Sequence, residues 1–288
     1  MSCAALMQSF VLTMSCEDRA GIVAAVTTQL ACIGTNITES SQHWDRASNR
    51  FFMRIAFSTP ARTSKDSIEK DLSPVMQRFG IQSALYDRGR KPKIVIMVSK
   101  FDHALLHLVY QIRVGWLDAE VVAIISNHED SRETAEWADI PYHLLPVTKD
   151  NKPEQEDRVL AVVEDTGADL VVLARYMQVF SDNLAKRLFG KVINIHHSFL
   201  PSFKGARPYH QAFEHGVKLI GATAHYVTAD LDEGPIIEQE TERVTHAMSV
   251  EDFVASGRDI ESRVLARAVK RHLEARVMLN GRKTVVFV

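Results

Sequence analysis

Residues 8–86 carry short runs whose hydrophobic spacing switches between the two-residue period of a strand and the 3.6-residue period of a helix. The run 8–16 reads as a strand, and Asp18 is placed to cap a helix whose Ile22, Val23, Val26 and Leu30 share one face before Gly34 ends it. Runs 36–44 and 49–58 are strand-like and joined by the turn DRAS, a hairpin signal. Ser64 then opens a second helix with Ile68, Leu72, Val75, Met76 and Phe79 at helical spacing, interrupted or restarted at Ser73-Pro74. A strand at 81–86 completes the order β-α-β-β-α-β, the ferredoxin-like pattern.

The polar, basic stretch DRGRKPK (87–93) reads as a linker, with the boundary at 88–92 between a domain over 1–87 and another over 93–288. Beyond it strands and helices alternate. Strands fall at 94–99, 120–126, 142–145, 170–174 and 191–195, with helices near 102–114, 131–138, 154–166 and 182–189. The all-apolar cores IVIMV, VVAII and LVVLA suit strands buried on both faces, so the expected architecture is a doubly wound, mainly parallel, Rossmann-like sheet. A helix near 208–215, strands at 219–228 and 236–244, a long helix from Ser249 to about Arg276 and a hairpin around Asn280-Gly281 follow.

The length of 288 residues agrees with about two domains at roughly 150 residues each, or with one large α/β unit. Charge narrows the partners. The net charge is −2, with 10 basic and 8 acidic residues over 1–90 and 24 and 28 over 91–288, so neither part is an electrostatic glove for nucleic acid or anionic lipid. The first Lys or Arg is Arg19, and no apolar run approaches the ~18 residues of a membrane span. A cytoplasmic protein is the expectation. Cys3, Cys16 and Cys32 suit neither a disulfide framework nor a zinc site, and read as free thiols. Eleven of the 12 histidines lie after residue 100, which points to chemistry in the second part.

Ligands of open α/β sheets bind beyond the carboxyl ends of the strands, which singles out NIHHSFLPSFKGARPYH (194–210). Asn194 and His196 alternate on a strand end and point to one face, where an amide and an imidazole can stabilise an oxyanion and move a proton. The turn in HYVTADLDEGPII (225–237) offers Asp230, Asp232 and Glu233. Plain turn formation fits Asp232 and Glu233 better than Asp230. His103 and His107 stand i,i+4 on a helix, a spacing that can bind zinc, but a third ligand is not evident.

NIHHSFLPSFKG and HYVTADLDEGPIIEQ resemble the Asn-x-His segment and the aspartate-bearing segment of the folate-dependent formyl-transfer fold, and within it of the formyltetrahydrofolate deformylase family. The resemblance covers nearly all of 93–288 and implies Asn194, His196 and Asp230 as the catalytic triplet. His197, where the transferases usually carry Pro, either tunes the water site or has a structural hydrogen-bonding role, and His225, on the strand feeding Asp230, either supports the site or is a core histidine. It also implies a pterin-receiving loop at Tyr176, Met177, Gln178, Val179 and Phe180. CEDRAGIVAAVTTQLACIGTNITESSQH and RFFMRIAF resemble an ACT domain, the regulatory module that precedes the catalytic domain in that family. An amino-acid effector near Asp18, Arg19, Gly21 and Asn36, and a homo-oligomer, dimeric or tetrameric, are what that module implies. The chain departs from the family at Ala20, where Pro is common, at Ala104, where Cys is frequent, and at Arg207, where Asn often stands. Lys204 and Arg207 either meet the glutamate tail of folate or are solvated.

Within this fold the formyl acceptor differs. The ribonucleotide transferases place a glycine-rich phosphate loop after the first strand, whereas VSKFDHALL (98–106) has no glycine, and its Asp102 repels a phosphate. The acidic balance of 91–288 disfavours tRNA. Water remains as acceptor. The implied reaction is hydrolysis of 10-formyltetrahydrofolate to tetrahydrofolate and formate, which supplies formate for purine biosynthesis, with no metal or cofactor expected. Formyl transfer to a small amine and a non-catalytic amino-acid or folate sensor are the alternatives.

Overall fold

The computed structural model describes residues 7–60, 63–198, 208–230 and 232–288. Two compact units emerge. The first comprises Met1–Lys91 with Glu274–Asn280 and Val285–Val288, and the second comprises Pro92–Leu273 with Gly281–Thr284. The C-terminal tail thus divides between the units, whereas the pattern alone placed everything after residue 93 in one domain.

In the first unit β1 (Gln8–Glu17), α1 (Ile22–Cys32), β2 (Asn36–Asp45), β3 (Arg50–Thr59), α2 (Lys65–Phe79) and β4 (Gln82–Asp87) follow the expected order. The sheet runs β2-β3-β1-β4, and its ladders β1–β3, β1–β4 and β2–β3 are antiparallel. Alternate residues of β1, namely Phe10, Leu12 and Met14, face Ile22, Val26 and Leu30 of α1 and Ile68 and Leu72 of α2 in one core. Arg54 of β3 is 3% exposed and is held by Glu39 and by the carbonyl of Glu274 from the tail.

Two local expectations change. Asp18 does not cap α1: the N-cap is Gly21 at φ 92°, a backbone that glycine adopts without penalty, with no side-chain cap bond. Helix α2 runs unbroken through Pro74, and Ser64 caps it by accepting from Ser67 N.

The second unit contains β5 (Lys93–Val98), α3 (His103–Arg113), β6 (Glu120–Ser126), α4 (Arg132–Trp137), β7 (Tyr142–Leu144), α5 (Lys152–Thr166), β8 (Leu170–Leu173), α6 (Asp182–Arg187), β9 (Val192–His196), α7 (Pro208–Glu214), β10 (Leu219–Tyr226), β11 (Ile236–Arg243) and α8 (Val250–Leu273). Its seven-stranded sheet is ordered β11-β10-β9-β8-β5-β6-β7. The strands β9-β8-β5-β6-β7 are parallel, whereas β10 and β11 are antiparallel additions. Strand order reverses between β5 and β8, where a doubly wound sheet opens a crevice at its carboxyl edge. Every residue from Ile94 to Val98 is fully buried, as a central strand covered on both faces requires.

Helix α8 ends at Leu273, short of the predicted 276, where the chain turns through Ala275 at φ 54°. Its start is a reciprocal cap: Ser249 Oγ accepts from Asp252 N, and Asp252 Oδ2 accepts from Ser249 N. The last two elements, β12 (Val277–Asn280) and β13 (Lys283–Val286), form the expected hairpin.

Candidate active site

Strand β9 ends with Asn194 and His196 half-buried on one face, while Ile193 and Ile195 are buried on the other. Antiparallel β10 places His225 opposite Asn194 and Thr223 opposite His196. A register shift between Ala224 and His225 marks a bulge in the β10–β11 pairing, the irregularity that re-aims side chains at sheet edges. His225 Nδ1 lies 2.9 Å from the Tyr226 carbonyl and Nε2 lies 3.3 Å from Asn194 Nδ2. With the ring proton donated to the carbonyl, Nε2 accepts from the amide and fixes its orientation, which leaves the second amide N–H for a ligand.

The acidic member of the site is Asp232, not Asp230. Asp232 Oδ1 stands 3.2 Å from His196 Nδ1 and 3.7 Å from His225 Nε2. Asp230 is exposed, and its backbone carbonyl receives Thr228 Oγ1 and Glu233 N. The reason is the course of the turn. Tyr226 N donates to the Pro235 carbonyl, so the chain is pulled back onto the end of β10, and Gly234 packs against Tyr226 so tightly that a Cβ there would stand 1.7 Å from the Tyr226 oxygen. Asp232 lies on that returning limb, at φ 56°, and Asp230 at the outer one. The Asp-x-Gly-Pro spacing was the available signal, since a residue just ahead of a forced close approach is carried with it.

His196 above all, with His225 beside it, holds the Asp232 carboxyl well below the usual carboxylate range, against the opposing effect of burial. The pair orients His196: with Nδ1 engaged by a carboxylate, Nε2 is the nitrogen left to exchange protons. His197 stacks on His196 with ring centroids 4.7 Å apart and 20° between planes. Its pKa is pushed down to about 4 by burial, then by Arg175 and His196.

The 176–180 loop leaves β8 beside this site, tied to the segment that follows β5 because Met177 N donates to Ser99 Oγ. Its five residues divide. Tyr176 and Phe180 are buried and meet edge to face at 6.3 Å, whereas Met177 and Val179 are about half exposed. Tyr176, Gln178, Val179 and Phe180 line a cleft with Gln155 and Glu156. Burial pushes the Tyr176 phenol up to about 12. His103 and His107 diverge, to Glu261 and to Gln111, and among the described residues no three His, Cys, Asp or Glu side chains are gathered for a metal. Lys204 and Arg207 lie outside the described residues. In the first unit Arg19 donates to the Phe79 carbonyl at 2.8 Å and lies over the Phe79 ring, so it closes the end of α2; Gly21 and Asn36 are exposed and Asp18 is half-buried.

The second unit has the fold of a formyl transferase, and a model of that family matches residues 92–269, while an ACT domain model matches residues 8–86. The chain is 50% identical to a formyltetrahydrofolate deformylase of Corynebacterium sp. (strain P-1) over 96% of its own length and 97% of that protein. The crystal structure of a formyltetrahydrofolate deformylase from Burkholderia mallei superposes with a TM-score of 0.93 at 49% identity, over 98% of this chain and all of that one. A glycinamide ribonucleotide transformylase from Symbiobacterium toebii, 30% identical with a TM-score of 0.65, covers only 71% of the chain. The chain belongs to the formyltetrahydrofolate deformylase family.

Proposed function

We propose that the protein hydrolyses 10-formyltetrahydrofolate to tetrahydrofolate and formate, with Asn194, His196 and Asp232 as its catalytic residues. The observation that carries the mechanism is the carboxylate, imidazole and amide gathered at the end of β9. Asp232 holds His196 so that Nε2 takes a proton from water as its oxygen bonds to the formyl carbon. Asn194 Nδ2–H donates to the oxyanion that forms. Collapse of the tetrahedral intermediate breaks the bond to N10, and His196 returns the proton to that nitrogen. By analogy with other oxyanion donors, Asn194→Ala costs about 2.7–4 kcal/mol of barrier. The exposed side chains of Met177 and Val179, with half-buried Gln178 between them, support a role for these three in receiving the pterin, with Tyr176 and Phe180 as its buried base.

Water as acceptor is supported by the start of α3. Asp102 occupies the N-cap and Phe101 stands half exposed before it, under the Arg258 guanidinium, so an anionic acceptor meets a carboxylate and a ring instead of bare amides. Incubation of the purified protein with 10-formyltetrahydrofolate, followed by absorbance and formate detection, should give equimolar formate and tetrahydrofolate with no amine added. Formate release that depends on an added amine would replace hydrolysis by transfer.

For the ACT domain we infer a regulatory and oligomerising role, with an amino acid bound near Asp18, Gly21 and Asn36. Within the described sheet β2 and β4 have a strand neighbour on one side only, which supports pairing with a second copy. Light scattering should report a dimer or tetramer, and titration with free amino acids should change the rate of formate release; a monomer indifferent to all of them would refute both.

A further inference from the structure

A buried carboxylate stands near the site and takes no part in the chemistry above. Glu261, on α8, is 1% exposed, and three segments converge on it. The Tyr209 hydroxyl, at the start of α7, donates to Oε1 at 2.7 Å. His103 Nε2, on the first turn of α3, lies 2.9 Å from Oε2, and Arg175 Nε, at the exit of β8, lies 3.4 Å from the same oxygen. Burial acts to raise the Glu261 pKa, yet His103, Arg175 and Tyr209 together bring it below its ordinary value. An ionised carboxylate only accepts, so His103 and Tyr209 are both donors. Helix α8 is shaped around the arrangement: one turn before Glu261, a Cβ on Gly257 would come within 2.1 Å of the Tyr209 ring.

Arg175 leads from this carboxylate to the catalytic histidine. It adopts φ 66°, in the left-handed region unusual for a long side chain. With Nε toward Glu261, the planar fork carries Nη1 to 2.8 Å from His197 Nδ1. A guanidinium has no acceptor and keeps its protons, so Nδ1 accepts and the ring proton of His197 sits on Nε2. Of the charged and titratable groups around that ring, Arg175 and His196 favour its neutral form, while Glu261 and Asp232 oppose them. The His197 ring in turn stacks on His196.

We propose that Glu261 is a positioning residue of the active site: through Arg175 it fixes the tautomer and plane of His197, and thereby the face of His196 that stacks on it. Glu261 itself is placed on none of the reacting atoms. The kinetic part of this proposal rests on the hydrolysis assigned above; the tautomer part does not.

The experiment combines ¹⁵N-histidine NMR with steady-state kinetics on wild type, Glu261→Gln, Arg175→Gln and the double variant. Wild-type His197 should show the Nε2–H tautomer from about pH 5 to 8, and each single variant should turn it into a tautomer mixture. In each, kcat should fall about 10- to 100-fold with KM within about threefold. Because the residues act in series, the double variant should lose no more than the worse single one. An unchanged His197 tautomer in Glu261→Gln, or kcat losses that multiply in the double variant, overturns the proposal. If Glu261→Gln does not fold, Arg175→Gln carries both readouts, since it leaves Glu261 with His103 and Tyr209; wild-type NMR and kcat in that variant overturn the proposal equally. If the wild type releases no formate, the hydrolytic reading fails and the NMR arm still decides the positioning role.

Discussion

Replacing Asp232 by Asn keeps the shape of the turn and removes one charge, which isolates the ion pair from the fold. At 3.2 Å from His196 Nδ1, the carboxylate stabilises an imidazolium by about 5 kcal/mol for an effective dielectric of about 20, and by about 2.6 kcal/mol if partial exposure raises that to about 40. At 1.36 kcal/mol per decade these values span about 10²- to 10⁴-fold in rate, the range expected when a proton-transfer group is disabled. The assay is kcat/KM for formate release, with Asp230→Asn as the paired control. Asp232→Asn should fall in that range and Asp230→Asn within about twofold of wild type, as befits an exposed turn residue. Equal losses, or a loss confined to Asp230→Asn, would refute the assignment.

Gly234→Ala places a methyl 1.7 Å from the Tyr226 carbonyl oxygen, so the returning limb must move outward and take Asp232 from His196. Activity should drop about 10²-fold, with a loss of about 1–3 kcal/mol in urea unfolding; a variant within about twofold of wild type in kcat would show that the close approach is not needed. His272, half-buried on α8 with Nδ1 2.7 Å from the Tyr226 hydroxyl, has its pKa pushed down to about 4 by desolvation. Because the unfolded chain takes up that proton near pH 6.5, stability is full above about pH 6.5 and is lost as pH falls toward 4, by about 2 kcal/mol at pH 5. Denaturation between pH 7 and pH 5 should show this slope, and His272→Gln should flatten it; an unchanged slope in the variant would assign the loss to other groups.

Two kinds of information were legible in the chain itself. Local periodicity and capping chemistry laid out the β-α-β-β-α-β order of the first unit, the run of fully buried residues in β5, and the shared face of Asn194 and His196, because each follows from the pitch of one strand or helix. The ACT and formyl transferase matches likewise rest on contiguous segments. Tertiary structure decided what depends on where separate segments meet. Asp230 and Asp232 are both acids in one short turn, where plain turn formation fitted Asp232 the better, and it is the close approach of Gly234 to β10 that carries Asp232 to His196. Asp18 looked like a helix cap until the Gly21 backbone made one unnecessary. Glu261 sits among charged neighbours on a long helix with nothing local to mark it, and becomes a hub because α3, the β8 exit and α7 all turn their polar groups toward one buried oxygen pair. A carboxylate there is tolerable only when its donors arrive from elsewhere in the chain, a condition no stretch of sequence around residue 261 can express.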